Sequence, residues 1–341
     1  MKELLRELCT LDGVAGYEDE VREVIMQKVA PYAAEMTVDP LGNLIVFKKG
    51  AKERKRPVVL CAHMDEVGFL VRDITPDGMI RLATVGGIDP RVLVGRRMKV
   101  GPKKVPGVIS IKAIHLTTAE ERKSAPGIDQ LYVDIGAQTR AEVEKLTQVG
   151  DPVFFDSAFY EMGDRCVKSK AIDDRVGCAV LVTLIQSELP YDTYFVFSVG
   201  EEVGRGSVVA AQRLNAGTVC AVEGTSAADI PDVPKHNQST AHRAGAVVSI
   251  MDKGTVYDRE LYRQITAEAD RQGVRWQYRK SANGGTDAGS MHKANAGARA
   301  FGLAAPTRYI HCACNVVHLP DVEEVVKMAH IFIKETGENN V

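Results

Sequence analysis

Short apolar runs that end on histidine or carboxylate side chains constrain this chain more than any other feature. Residues 58–62 are followed by His63 and Asp65, residues 194–199 by Glu201 and Glu202, and residues 219–222 by Glu223. The apolar segment after Gly302 gives way to His311. Runs with no polar alternation fit strands buried on both faces, the pattern of a parallel sheet covered by helices. In open α/β sheets, functional groups gather outside the carboxyl ends of the strands. Residues far apart in sequence therefore converge on one rim.

The intervening segments support that class. Val21, Val24, Ile25 and Val29 recur at helical spacing. Residues 175–187, 206–214, 258–271 and 322–334 read as helices, and residues 43–47, 58–62, 193–199, 218–222, 247–251 and 298–303 as strands. The expected fold is α/β: a mostly parallel mixed sheet with helices on both faces. From Val67 to about Asp164 the texture changes. Short strand-like segments at 68–71, 79–84, 97–100, 107–111 and 131–135 are punctuated by Pro76-Asp77-Gly78, Gly86-Gly87, Gly101-Pro102 and Pro106-Gly107. This stretch reads as an inserted β-rich, barrel-like domain, residues 67–164. Residues 1–66 are too few to stand alone, so they join residues 165–341 in one catalytic domain.

Charge and cysteine usage exclude several classes. With 43 basic against 45 acidic residues, nothing in the balance favours a nucleic-acid partner. The cluster Lys52-Glu53-Arg54-Lys55-Arg56 reads as a solvated loop. No apolar run approaches the length of a membrane helix, so no membrane association is expected. Met1-Lys2-Glu3-Leu4-Leu5-Arg6-Glu7 reads as an amphipathic helix and not as a signal peptide. Seven scattered cysteines suit a reducing compartment, and a cytoplasmic location is expected. Cys312 and Cys314 form the one close pair, and a zinc ribbon needs a second.

The rim residues suggest metal chemistry. Two histidines with several carboxylates form an oxygen- and nitrogen-rich donor set that suits zinc, cobalt or manganese. A bridging carboxylate can hold two ions about 3.5–4 Å apart. One carboxylate must stay off the metals as general base. The adjacent pair Glu201-Glu202 offers both roles, and strand alternation would send their side chains in opposite directions. Taken singly, each signal has a plainer reading. Asp173-Asp174 before a helix is commonly an N-cap, a glutamate pair is commonly solvated, and an isolated His-x-Asp is commonly surface or core. Glu223 ending an apolar strand is harder to dismiss, because an unpaired buried carboxylate is costly. Gly284-Gly285-Thr286-Asp287 lacks the spacing and lysine of a nucleotide site and reads as a tight turn beside the rim, with Asp287 structural. His115, His236, His242, His292, His318 and His330 read as surface or supporting residues.

The segments His63-Met64-Asp65-Glu66-Val67-Gly68, Ala171-Ile172-Asp173-Asp174-Arg175, Gly200-Glu201-Glu202-Val203-Gly204, Gly284-Gly285-Thr286-Asp287-Ala288-Gly289 and Thr307-Arg308-Tyr309-Ile310-His311 occur in that order. Together they resemble the glutamyl and deblocking aminopeptidases, the tetrahedral aminopeptidase family of co-catalytic metallopeptidases. Tyr132-Val133-Asp134-Ile135-Gly136-Ala137, inside the insertion, is similar to the family as well. The resemblance implies two divalent ions per subunit, zinc or cobalt foremost and manganese next. It implies that His63 and Glu223 hold one ion, Glu202 and His311 the other, and that Asp173 bridges them. Glu201 is then the general base and Asp65 orients His63. It further implies peptide substrates, and a homo-oligomer, a tetrahedral dodecamer built from dimers through the insertion. The chain departs from the family pattern at Glu223, where Asp is usual, at Cys312-Ala313-Cys314-Asn315, where Ser-Pro follows the histidine, and at Ala246-Val247, where Gly-Pro is common. Three other functions stay open: hydrolysis of a different amide by a carboxypeptidase or deacetylase, an endoglucanase, and an oligomeric scaffold without catalysis. The preferred N-terminal residue is not legible, because no Arg or Lys can be placed in the pocket.

Overall fold

A computed structural model describes residues 1–338. Residues 339–341, the end of the expected catalytic segment, lie outside the described residues. The chain opens with helices α1 (Lys2–Thr10) and α2 (Asp19–Val29) and strands β1 (Glu35–Val38), β2 (Leu44–Lys48) and β3 (Val58–His63). Next come β4 (Gly68–Ile74), β5 (Ile80–Val85), β6 (Arg97–Val100), β7 (Val105–Ile111), β8 (Leu131–Asp134), a short α3 (Arg140–Val143) and β9 (Pro152–Phe155). The hairpin β10 (Tyr160–Met162) and β11 (Cys166–Ser169) leads to α4 (Ile172–Ile185), β12 (Thr193–Ser198), α5 (Ser207–Leu214), β13 (Thr218–Ser226) and β14 (Ala246–Ser249). The last elements are α6 (Arg259–Arg271), β15 (Trp276–Tyr278), α7 (Ala288–Met291), β16 (Arg299–Arg308), β17 (Asn315–His318) and α8 (Leu319–Glu338).

Eleven strands form one mixed sheet along the path β1-β2-β12-β3-β13-β16-β17-β11-β10, with β14 and β15 branching from β16. The centre, β12-β3-β13-β16, is parallel, and both edges are antiparallel. The central runs lack alternation because both faces are covered. Val58, Leu60 and Ala62 of β3 join the core under α1, α2, α4, α6 and α8. Val59 and Cys61 join the opposite core with Ala210 and Ala211 of α5 and Ala288 and Met291 of α7. Phe195 and Phe197 of β12 face the first core and Val196 the second, the two-residue period of a pleated strand. Helix α4 is buried along almost all its length, sandwiched between sheet and outer helices, which explains its apolar surround.

Strands β4 to β9 close into a six-stranded barrel in the order β4-β5-β8-β7-β6-β9. It has its own core, in which Phe69 and Phe155 meet edge to face at 5.6 Å. Ala313, from the turn between β16 and β17, is buried in that same core.

Candidate metal centre

Strand ends and one broken helix turn bring the rim residues together. His63 is the last residue of β3. Pairing of β3 with β13 stops at Cys61↔Ala221, so β13 runs on without that neighbour and presents Glu223 beyond it. Glu223 therefore lies within β13, which continues to Ser226 alongside the longer β16, and does not end a strand. Strand β12 ends at Ser198, and Glu201-Glu202-Val203 form a 3-10 turn. Strand alternation is thus not what separates the two glutamates, and both line the same cavity.

Asp173 and Asp174 divide the tasks that a carboxylate before a helix can perform. Both have non-helical backbone angles, and the peptide bond joining them is cis. The Asp174 carboxylate accepts the Gly177 N–H at 2.9 Å, the bond of an N-cap, and the His63 N–H at 3.2 Å. Asp173 is left free to line the cavity. Its Oδ1 lies 3.6 Å from Nε2 of His63 and its Oδ2 lies 3.5 Å from Nε2 of His311. Nε2 of His63 is also 3.6 Å from Glu223, and Nε2 of His311 is 3.5 Å from Glu202. Ligands around an ion at about 2.1 Å in a tetrahedron stand about 3.4 Å apart. The donor atoms fall into two clusters, His63-Asp174-Glu223 and Asp173-Glu202-His311, each within 4.8 Å. Asp173 suits the first cluster better than Asp174, whose carboxylate is engaged by two backbone N–H groups.

The residues present fit divalent cations. Oε1 of Glu202 and Oε1 of Glu223 are buried without a hydrogen-bond partner, one in each cluster. Buried polar atoms are otherwise almost always satisfied. Burial pushes Glu201 up to about 8, with negative charge on Asp287, Glu202 and Asp65 adding and His63 opposing. Burial likewise pushes Glu202 up to about 7, with Asp173 and Asp65 adding and His311 opposing. Burial and the neighbouring Asp174 raise Glu223 well above the ordinary carboxylate range. Burial works against Asp173 too, but contact with His311 and His63 prevails and lowers it to about 2. His311 is lifted to about 9 despite burial, through Asp173, Glu202 and Gly87.

Supporting groups orient the imidazoles and the turn. Nδ1 of His63 sits 3.1 Å from the Asp65 carbonyl and 3.4 Å from its carboxylate. The Asp65 carboxylate itself accepts the N–H groups of Glu201 and Glu202 at 3.0 and 3.1 Å, so it pins the glutamate turn as well as facing His63. Asp287 accepts hydrogen bonds from Ser198 and Cys61 beneath the rim, a structural place. Sequence reasoning missed Gly87: this barrel-loop residue lines the cavity, and its carbonyl lies 2.7 Å from Nδ1 of His311. Its one sequence signal was Gly86-Gly87, read as turn punctuation. It also missed Asn315, whose amide donates to the carbonyls of Tyr309 and Cys312 at 2.9 Å each. Tyr309 and His311 both adopt a positive φ of 60°, so the turn carrying His311 needs that bracing. Lys253 and Arg279 line the cavity, which has a volume of about 760 Å³.

Known proteins share this fold. A putative aminopeptidase of Acetivibrio thermocellus is 32% identical over 331 residues, 96% of this chain and 97% of the relative. An aminopeptidase of the archaeon Desulfurococcus kamchatkensis superposes with a TM-score of 0.94 at 30% identity, covering 99% of this chain and 95% of the other. The TET1 peptidase of Pyrococcus horikoshii, solved as a protein that can assemble into a tetrahedron or a large octahedral shell, superposes with a TM-score of 0.85 at 30% identity, covering 97% and 98%. Sheet and barrel together are the fold of the TET peptidases. The M42 glutamyl aminopeptidase family model matches residues 42–328, and the chain belongs to that family.

Proposed function

We propose that this protein is an aminopeptidase that uses two divalent metal ions to release N-terminal amino acids from peptides. The observation that carries the reading is the Asp173 carboxylate, with one oxygen toward His63 and the other toward His311. His63 and Glu223 would hold one ion, Glu202 and His311 the other, with Asp173 shared. The orphaned oxygens of Glu202 and Glu223 support that assignment. Zinc or cobalt foremost, and manganese next, would supply Lewis acidity toward the scissile carbonyl and acidify water. Glu201, in the cavity but in neither donor cluster, takes the water proton and returns it to the leaving amine. Asp65 holds the Glu201-Glu202 turn and His63 in register. A free substrate α-amine would pair with the carboxylate-rich rim, which favours exopeptidase action.

Residues 1–66 and 165–341 form the catalytic unit in this reading, and residues 67–164 an assembly domain. Ile114 and Leu116, 71% and 61% exposed on the insertion, offer apolar surface for a second copy. The reading extends to a homo-oligomer, a tetrahedral dodecamer built from dimers, supported by likeness to the Pyrococcus relative that can assemble into a tetrahedron, and to a cytoplasmic setting, supported by the scattered cysteines. Among the described residues no helix is long and apolar enough to cross a membrane. Chelation should abolish hydrolysis of aminoacyl substrates, and zinc, cobalt or manganese should restore it at about two ions per subunit. Activity that persists with negligible metal content removes the metal reading. Sedimentation of the parent tests the assembly.

A further inference from the structure

The turn that carries Glu201 and Glu202 hangs from side chains that come from elsewhere in the chain. Its successive backbone N–H groups donate outward: Val199 to Oδ1 of Asn43 at 3.0 Å, Gly200 to Oε1 of Glu18 at 3.0 Å, and Glu201 and Glu202 to Asp65 at 3.0 and 3.1 Å. Asn43, Glu18 and Asp65 are all buried. Asp65 faces His63, but Glu18 and Asn43 belong to the N-terminal segment, and neither lines the cavity.

Neither residue is explained by its own element. Glu18 stands at the N-cap of α2, a position that favours Ser, Thr, Asp or Asn, and its side chain makes no capping bond to that helix. Its second oxygen accepts the Gly16 N–H at 2.9 Å. Burial raises its carboxyl above the ordinary range, with the charge of Asp65 adding and the Gly16 N–H opposing. Such a residue is costly to keep inside a fold. Asn43 precedes β2. Its amide donates to Asp39 at 2.7 Å and to the Gly206 carbonyl at 3.0 Å, which leaves Oδ1 for the Val199 N–H. Asn43 thus grips the chain on both sides of the glutamates, at Val199 and at Gly206. Glycine is needed at the second point, since an added Cβ on Gly206 would stand 2.8 Å from Oδ1 of Asn43.

Resting on the aminopeptidase reading, we propose that Glu18 and Asn43 are positioning residues, which hold the turn through the N–H groups of Gly200 and Val199 so that Glu201 stays within reach of the water proton. A general base works only at hydrogen-bond reach, and a displacement of about 1 Å can cost about 100-fold in rate.

Reach and charge can be separated at Glu18. Glu18→Asp keeps the charge but falls one methylene short of Gly200. Asp is also a better N-cap, so a loss in that variant does not come from a weakened α2. Glu18→Gln keeps an acceptor at the same reach without the charge. With metal in excess, Glu18→Asp and Asn43→Ala should lower kcat by about 10- to 100-fold with KM within a few-fold of the parent, and Glu18→Gln should recover most of it. The decisive readout is coupling. In a Glu201→Gln background the base is already gone, so Glu18→Asp should lower kcat by no more than about threefold further, because residues that act through one another are not additive. An equal fall in both backgrounds, or the parent's kcat in both Glu18→Asp and Asn43→Ala, overturns the proposal. Amide hydrogen exchange tests the clamp without catalysis. Exchange across residues 199–202 should quicken about tenfold in Glu18→Asp and about threefold in Glu18→Gln, the worth of one hydrogen bond lost or weakened, while α4 stays as in the parent. Glu18→Gln, which keeps size and an acceptor, covers the case in which the other variants do not fold. Exchange at the parent's rate in every folded variant overturns the clamp. A parent that cleaves no aminoacyl substrate with zinc, cobalt or manganese sinks the peptidase reading instead, and the exchange rates still decide whether Glu18 and Asn43 hold the turn.

Discussion

Between residues 67 and 155 the barrel buries Phe69, Ile80, Leu82, Met98, Val100, Ile109, Val133 and Phe155, and Thr147 is the one buried polar residue in that stretch. The rim of the main sheet buries His63, Asp65, Asp173, Asp174 and Glu223 within one small volume. The barrel satisfies its own groups, whereas the rim leaves carboxylate oxygens orphaned and carboxyl groups pushed toward neutrality. The contrast separates residues that keep the chain folded from residues held at a cost for chemistry. The two regions also meet, at Gly86-Gly87 and at Ala313.

Substitution on the rim should give the largest effects, in rate and not in stability. On the proposed reading, in which Glu201 is a proton acceptor and not a ligand, Glu201→Gln should lower kcat by about two to four orders of magnitude while both metals remain. Glu202→Gln should weaken one metal, with partial rescue by excess ion. The checks are turnover and metal content side by side. Metal loss in Glu201→Gln with both ions kept in Glu202→Gln would reverse the two roles.

In the barrel the currency changes. Phe69→Ala should cost about 3–5 kcal/mol of stability through the cavity left behind, read from the denaturant midpoint. The kcat of molecules that remain folded should stay within a few-fold of the parent. A fall in kcat as steep as that of Glu201→Gln would erase the contrast between the regions.

Gly86→Ala probes their boundary. Gly86 has a φ of +79°, and an added Cβ would stand 2.8 Å from Val67 Cγ1 and 3.1 Å from Glu202 Oε2. A left-handed alanine costs about 1–2 kcal/mol. Displacement of Glu202 should also weaken metal binding, by about tenfold if the group behaves like other outer contacts of metal sites. Metal titration would expose a barrel that is mechanically separate from the rim, since stability alone would then change.

The smallest effect concerns pH. Glu201, Glu202 and Glu223 have folded-state values raised above the ordinary carboxylate range, so protonation stabilises the metal-free fold. That contribution is complete below the unfolded carboxylate value and is lost as pH rises through about 7 to 8. His311, raised to about 9, acts in the same direction over a higher window. Asp173, lowered to about 2, contributes above the unfolded value and loses its share only in strong acid. Between pH 5.5 and 8.5 the Tm of chelated protein should therefore fall by more than about 2–4 °C, roughly what 1 kcal/mol is worth in a large domain. Metal-loaded protein should not show that fall, because ion binding is favoured when the ligands are deprotonated. A chelated protein that gains stability with rising pH contradicts the rim's electrostatics.

Local pattern carried much of this protein on its own. Burial on both faces showed as unbroken apolar runs at 58–62 and 219–222, because a two-sided strand has no polar positions to alternate. Helix α6 was legible from its period, and Asp258 caps it by accepting the Leu261 N–H at 2.9 Å. Short strands such as β1 and β17 escaped, since they are four residues long and take their structure from neighbours. The histidines and carboxylates that follow the apolar runs were visible because an ionisable residue closing such a run is an expensive exception.

Tertiary structure alone decided how those residues are used. Asp173 and Asp174 are identical in sequence terms, and only the nearby N–H groups of His63 and Gly177 assign one to the cap and leave the other in the cavity. Glu201 and Glu202 are separated by a turn pinned from Asp65, 136 residues away in the chain, and not by strand alternation. Gly87 reaches His311 across 224 residues. Periodicity and capping depend on neighbours within a turn or two, so sequence displays them directly. Convergence depends on which strands pair and where each pairing stops, and that is settled by packing of the whole sheet.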